Sequence, residues 1–342
     1  MNEIKKTSKR YYDSVIIGLI ILLVACFVIS FSLGKYPISP NELFSIFLSR
    51  VFPIEQTWTD QQAVILYNVR MPRIVLSVLV GCCLSAAGAA YQGIFRNPLV
   101  SSDIVGASSG AAFGAALAIL MSIGNFGISI SAFLFSILAV LTVYFLSKKV
   151  KTNPVLGLVL AGIMVSSLFN SATSFLKLVA DPNEQLPAIT YWLMGSFSGA
   201  KLKDIQLAII PMAIGLIPLF MLRWKINILT MGDDEARTMG VDTQKTRAVI
   251  VIAATLVTAA SIAVSGMIGW IGLVIPHLSR MLVGSDYRRL MPVSMLMGAS
   301  FLLIVDNVSR LITSSEIPIG ILTSFIGAPF FFYLISREGE KF

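Results

Sequence analysis

Long, nearly charge-free apolar runs constrain this chain more than any other feature. Val15–Leu33, Ala248–Val264 and Ser294–Val305 are the clearest of them. A helix that crosses a bilayer needs about 20 apolar residues. Only 13% of the chain is charged and 56% is hydrophobic, whereas a soluble domain carries about a quarter charged residues. The expected fold is therefore an all-α polytopic membrane protein. The net charge of +8 does not point to nucleic acid, because the basic residues are scattered between apolar runs rather than gathered on one solvated face. The three cysteines, Cys26, Cys82 and Cys83, lie inside apolar runs and read as small packing residues rather than disulfide partners or metal ligands.

Hydropathy divides the chain into about ten membrane segments, near 14–33, 72–91, 104–122, 127–147, 154–176, 204–222, 248–265, 268–283, 290–309 and 318–336. The basic residues orient them. With both termini inside, the inner side holds Lys5, Lys6, Lys9, Arg10, Arg96, the trio Lys148, Lys149 and Lys151, the bases of 223–247, Arg280, Arg288, Arg289, Arg337 and Lys341. The outer side holds fewer. The first run has a longer core than a cleaved leader and is expected to be a retained helix. The whole of 1–342 reads as one transmembrane domain, with 223–247 as its only sizeable charged inner loop.

Local chemistry is concentrated in a few places. Gly269–Arg280 is apolar, contains Gly269, Gly272 and Pro276, and carries the only histidine, His277. Short interrupted helices of this kind sit where protein lines a cavity, which points to a transport pathway. Gly106, Gly110 and Gly114 recur every four residues on the third segment and predict close helix packing. Ser39-Pro40-Asn41-Glu42 predicts a capping box opening a short outer helix. A second outer loop, 186–199, carries Tyr191, Trp192 and Met194, aromatics suited to an interface belt or a substrate contact. In the inner loop, Asp233 and Arg237 form an i,i+4 pair that favours a helical turn, which Gly240 can end in a left-handed conformation.

Several chemistries are missing. No GxxxxGK[ST] loop occurs, so any ATP that drives this protein is hydrolysed on another chain. No nucleophile–base set or metal-ligand cluster is present, so neither an enzyme nor a metal site is expected. Asp306 is the only acid well inside a run, with Arg310 at i+4 to neutralise it. Ion-coupled transporters place ionisable groups near the midplane, so this scarcity weighs against a stand-alone secondary transporter. Arg70, Arg73 and Arg310 fall on the outer side, against the charge bias. They either snorkel to lipid phosphate or receive an acidic partner from outside.

Asn68-Val69-Arg70-Met71-Pro72-Arg73, the run Gly88–Leu99, Asp103-Ile104-Val105-Gly106, Trp192–Ser196, Gly272–Arg280, Glu316–Gly320 and Gly327–Phe331 together resemble the FecCD-type permease family, in the family's order. The resemblance implies a type II ABC importer permease for iron–siderophore complexes, with cobalamin and haem as alternatives. It implies ten helices per subunit and a second permease subunit, either the same chain or a close relative. It also implies two ATPase subunits that bind ATP and magnesium, and an extracytoplasmic substrate-binding protein. By the same resemblance, Arg70, Arg73 and Arg310 receive glutamates of the binding protein. Gly232, Asp234, Glu235, Ala236, Arg237 and Gly240 form the coupling segment on the ATPase. The fifth and tenth segments and the turn before the eighth line the path. Arg96 departs from some relatives and is assigned no function.

Overall fold

The computed structural model describes residues 2–53, 55–149, 154–313 and 315–339. Lys151 and Lys341, both invoked for orientation, lie outside the described residues, as do the side chains of Lys5, Lys6 and Arg337. The described residues form helices α1 (Asn2–Ser32), α2 (Pro40–Leu48), α3 (Asp60–Ile65), α4 (Met71–Phe95), α5 (Ala107–Leu120), α6 (Asn125–Ser147), α7 (Pro154–Val179), α8 (Gln185–Leu193), α9 (Leu202–Met221), α10 (Arg223–Leu229), α11 (Asp233–Thr238), α12 (Thr243–Ser265), α13 (Ile271–Val283), α14 (Tyr287–Leu311) and α15 (Ile319–Gly339). Seven helical stretches are long and apolar enough to cross a membrane, and three shorter apolar helices stand at 107–120, 271–283 and 319–332. Together they occupy the ten places expected from hydropathy.

α4 is the central helix. Its middle, Gly81–Ala90, is almost all small residues, so neighbours approach it backbone to backbone. A Cβ on Gly88 would overlap the carbonyl of Gly272 in α13, and one on Gly81 would overlap that of Gly298 in α14. α12 packs along another side, where Tyr91 Oη lies 3.1 Å from Thr255 Oγ1. α5 and α6 form a hairpin in which Gly110 and Gly114 face the backbone of Phe135 and Ser131, and Ser131 Oγ donates to Gly114 O at 2.7 Å. Gly106 corrects the expected stripe. It lies before α5, at φ 81°, and ends the tight turn Ser102–Val105 instead of packing within the helix. The large apolar side chains left exposed, such as Ile21 and Val28 of α1, Met164 and Leu168 of α7 and Ile210 and Ile217 of α9, suit a lipid environment.

The capping box at Ser39 is present. Its hydroxyl accepts the Glu42 N–H at 3.3 Å, and the Glu42 carboxylate accepts the Ser39 N–H at 2.8 Å. Thr59 and Gln62 build a second box at α3 that the sequence reading did not name. Most of the outer loop 186–199 belongs to α8.

Between the helices, three irregular segments meet. Ser196 N–H donates to Ser265 O at 2.7 Å, Ile319 N–H to Gly195 O at 2.8 Å, and Gly320 N–H to Met194 O at 3.0 Å. Non-helical backbone in a membrane protein persists only where protein satisfies its polar groups, and these bonds do so. Trp270, at φ 71°, then opens α13, which is why the eighth segment starts later than hydropathy suggests.

Candidate functional site

Three features stand along the molecule: an ion cluster toward the outer ends of the helices, a cavity, and a charged turn on the inner face.

The ion cluster forms where α1, α4 and α14 converge. Arg73 Nε lies 2.8 Å from Asp306 Oδ1, and Arg73 Nη1 lies 2.7 Å from Glu316 Oε2. Arg310 Nε is 3.9 Å from Asp306 Oδ2, and Arg310 Nη2 donates to Ser30 O at 2.9 Å. Arg70 donates to the carbonyls of Phe31 and Tyr36. Arg70 and Arg310 therefore satisfy carbonyls at the C-terminal end of α1, where a helix has unpaired acceptors and favours positive charge. The three arginines are 3%, 5% and 6% exposed in chain order. Rather than standing free at the surface, they are turned inward and engaged. Asp306 does meet Arg310 as expected, but its shorter contact is with Arg73, 233 positions away in sequence. No periodicity could have shown that pairing, nor the role of Glu316.

A cavity of about 750 Å³ opens beside α15. Met194, the segment Met267–Trp270, the α15 residues Ser324, Phe325 and Pro329, and Asp103 with Ser108 line it. Asp103 is the only ionisable group among the lining residues, and its carboxylate accepts the Ser108 hydroxyl. Gly269 lines the cavity. Gly272 and Pro276 stand behind it, buried against α4 and within α13. Trp270 packs edge-on to Phe331 and His277 to Phe330, each with centroids 6.2 Å apart. Among the described residues no group of three or more His, Cys, Asp or Glu is placed to hold a metal. A second cavity, of about 570 Å³, includes Tyr191, Trp192, Lys201 and Lys203.

The inner turn corrects one sequence pairing. Asp233 does not bond Arg237. It takes a two-pronged contact from Arg247 of α12, at 2.8 and 3.3 Å. Arg237 instead lies 3.8 Å from Asp234. The Arg247 hydrogen bond holds the Asp233 carboxyl below its ordinary range, with smaller contributions from the charges of Arg96 and Arg237. Ala236 and Gly232 are buried and seat the turn, while Asp234, Glu235 and Arg237 face outward. Gly240 ends the helix at φ 77°, as expected. The exposed Met231 and Met239 flank the turn. Sequence reasoning missed Arg247, because a base at the start of a membrane helix looks like an orientation signal.

A sequence model of the FecCD transport family matches residues 22–337. The molybdate import system permease protein of Haemophilus influenzae is 39% identical over 326 residues, covering 95% of this chain and 96% of that protein. A Helicobacter pylori protein provisionally named as an iron chelatin transport system permease is 42% identical over 275 residues, covering 80% of this chain and 83% of the other. A solved structure provisionally described as a metal-chelate type ABC transporter in an inward-facing conformation superposes with a TM-score of 0.85 at 38% identity, over 95% of this chain and 99% of that one.

Proposed function

The chain belongs to the FecCD transport family as the permease of an ABC importer, and from that premise we propose that its cargo is an iron–siderophore chelate. The observation that carries the proposal is the cavity wall. It is wide, largely apolar, and free of Arg, Lys and His among its lining residues. A bulky chelate that already satisfies its metal needs a smooth wall rather than ligands. An oxyanion such as molybdate finds no Arg, Lys or His along this wall to balance its charge. Molybdate is nonetheless the competing reading, favoured by the Haemophilus relative. Cobalamin and haem are further members of the chelate class.

In this reading 1–342 is one permease domain that works beside a second permease subunit. Two ATPase subunits carry ATP and magnesium, since no phosphate-binding loop occurs in this sequence. The inner turn Gly232–Gly240 is the coupling segment, with Asp234, Glu235 and Arg237 as its outward-facing side chains. The outer arginines Arg70, Arg73 and Arg310 seat an extracytoplasmic binding protein. Three guanidiniums share only Asp306 and Glu316 as carboxylates in the contacts described, so one acidic group from a partner would balance the cluster. Arg73 is the group that can exchange, because Glu316 stands at the rim with its side chain 27% exposed.

The test is uptake of radiolabelled ferric siderophore, cobalamin, haem and molybdate by cells lacking this gene, with and without the restored gene. Loss of ferric siderophore uptake alone is expected. Loss of molybdate uptake alone would replace the cargo and leave the permease assignment in place.

A further inference from the structure

We propose that Asp233 and Arg247 form the mechanical joint of this permease, fastening the inner turn to a stiff helix whose far end builds the cavity wall. The inference rests on the importer reading above. It adds a positioning pair that moves with the turn without touching cargo or nucleotide.

The joint itself is well made. The guanidinium of Arg247 meets both oxygens of Asp233, at 2.8 and 3.3 Å. A fork-to-fork contact fixes orientation as well as distance, which a single hydrogen bond does not. Arg247 is buried, and its Nε has no partner, so Asp233 supplies its anchorage. Ala236 and Val241 of the turn are buried in the same core cluster as Ile250 and Val251 of α12, and Val241 N–H donates to Ala236 O at 3.0 Å.

The lever is equally distinctive. α12 runs through 23 residues without a glycine or an internal proline, a length of about 35 Å at the usual helical rise. α9 contains Pro211 and Pro218, and α13, α14 and α15 contain Pro276, Pro292 and Pro329. Such prolines are where long helices bend. Of these helices, α9 packs along α12, so α12 transmits a displacement that α9 would absorb. Where it ends, Ser265 O accepts the Ser196 N–H, and the next residues, Met267–Trp270, line the cavity. A push on Asp234, Glu235 or Arg237 reaches the wall through Asp233, Arg247 and the α12 rod.

The experiment uses the complete complex with its own ATPase subunits in lipid vesicles. Cys26, Cys82 and Cys83 are replaced by alanine, and Ser324→Cys places a reporter thiol in the cavity. The readout is the change in maleimide labelling of position 324 on adding ATP and vanadate, alongside ATP hydrolysis. With the joint intact, labelling changes with nucleotide. Asp233→Asn and Arg247→Gln should keep the ATPase bound and hydrolysing while the labelling response falls about tenfold. Arg247→Lys, which keeps charge but loses the fork, should fall between. The exchange Asp233→Arg with Arg247→Asp should restore the response. Single variants that keep the response within about twofold, or lose hydrolysis in the same proportion, would overturn the joint. An intact joint with no nucleotide response would instead overturn the importer reading and remove the joint with it.

Discussion

The outer ion cluster and the inner joint use the same chemistry, an arginine meeting an aspartate at 2.8 Å, for opposite ends. At the outer end Asp306 is fully buried between Arg73 and Arg310, while Arg70 and Arg310 are also committed to carbonyls at the end of α1. Every member has more than one tie or a neighbour that does, so the cluster fixes α1, α4, α14 and the lead-in to α15 as one body. At the inner end one ion pair, with side chains 7% and 28% exposed, ties a six-residue helix to the start of α12. Redundant ties make an anchor, and one tie on a small element makes a joint. The difference follows from the number of ties, since Arg247 is as buried as Arg73 and only its partner Asp233 reaches water.

That contrast can be broken by substitution. Asp306→Ala removes the buried carboxylate that Arg73 and Arg310 share and should cost about 3 kcal/mol, read as a large fall in the thermal unfolding midpoint of the purified protein. A midpoint unchanged by Asp306→Ala would erase the distinction between the two ends. Gly88→Ala drives a methyl into the Gly272 carbonyl where α4 meets α13, and should cost about 1–3 kcal/mol in the same assay. Glu316→Gln removes a partly exposed partner of Arg73 and should cost about 1 kcal/mol or less. On the docking proposal it should also tighten binding-protein capture, because Arg73 is released; weaker capture would count against exchange at that residue.

At the inner end the effects are smaller. Asp233 has a depressed pKa, so its stabilising pair is complete above the unfolded carboxylate range and is lost only as pH falls below about 4. The ratio of labelling with and without nucleotide, taken at each pH so that the thiolate fraction of the reporter cancels, should therefore hold steady from neutrality down to about pH 5, with a decline above that point assigning the titration to another group. The smallest effect belongs to Asp234→Asn, whose side chain is 96% exposed; its stability should stay within about 0.5 kcal/mol of the parent.

The architecture was legible because a bilayer imposes a length and a polarity on every helix that crosses it. Local chemistry was legible too: the Ser39–Glu42 box and the left-handed Gly240 needed only neighbouring residues. What sequence spacing could not supply was partnership across the fold. Arg73 with Asp306, and Asp233 with Arg247, are chosen by which helices lie side by side, and the nearer candidates Arg310 and Arg237 were the ones that spacing offered. The stripe at Gly106 failed for a related reason, since a glycine every four residues reads the same inside a helix as at its threshold.

The most direct test of the account is transport by the purified permease in vesicles, with its ATPase and binding protein added or withheld, using radiolabelled ferric siderophore as cargo. Accumulation is expected only when ATP, both partner proteins and this chain are present together. Accumulation driven by a proton or sodium gradient, with no ATPase in the vesicle, would contradict it.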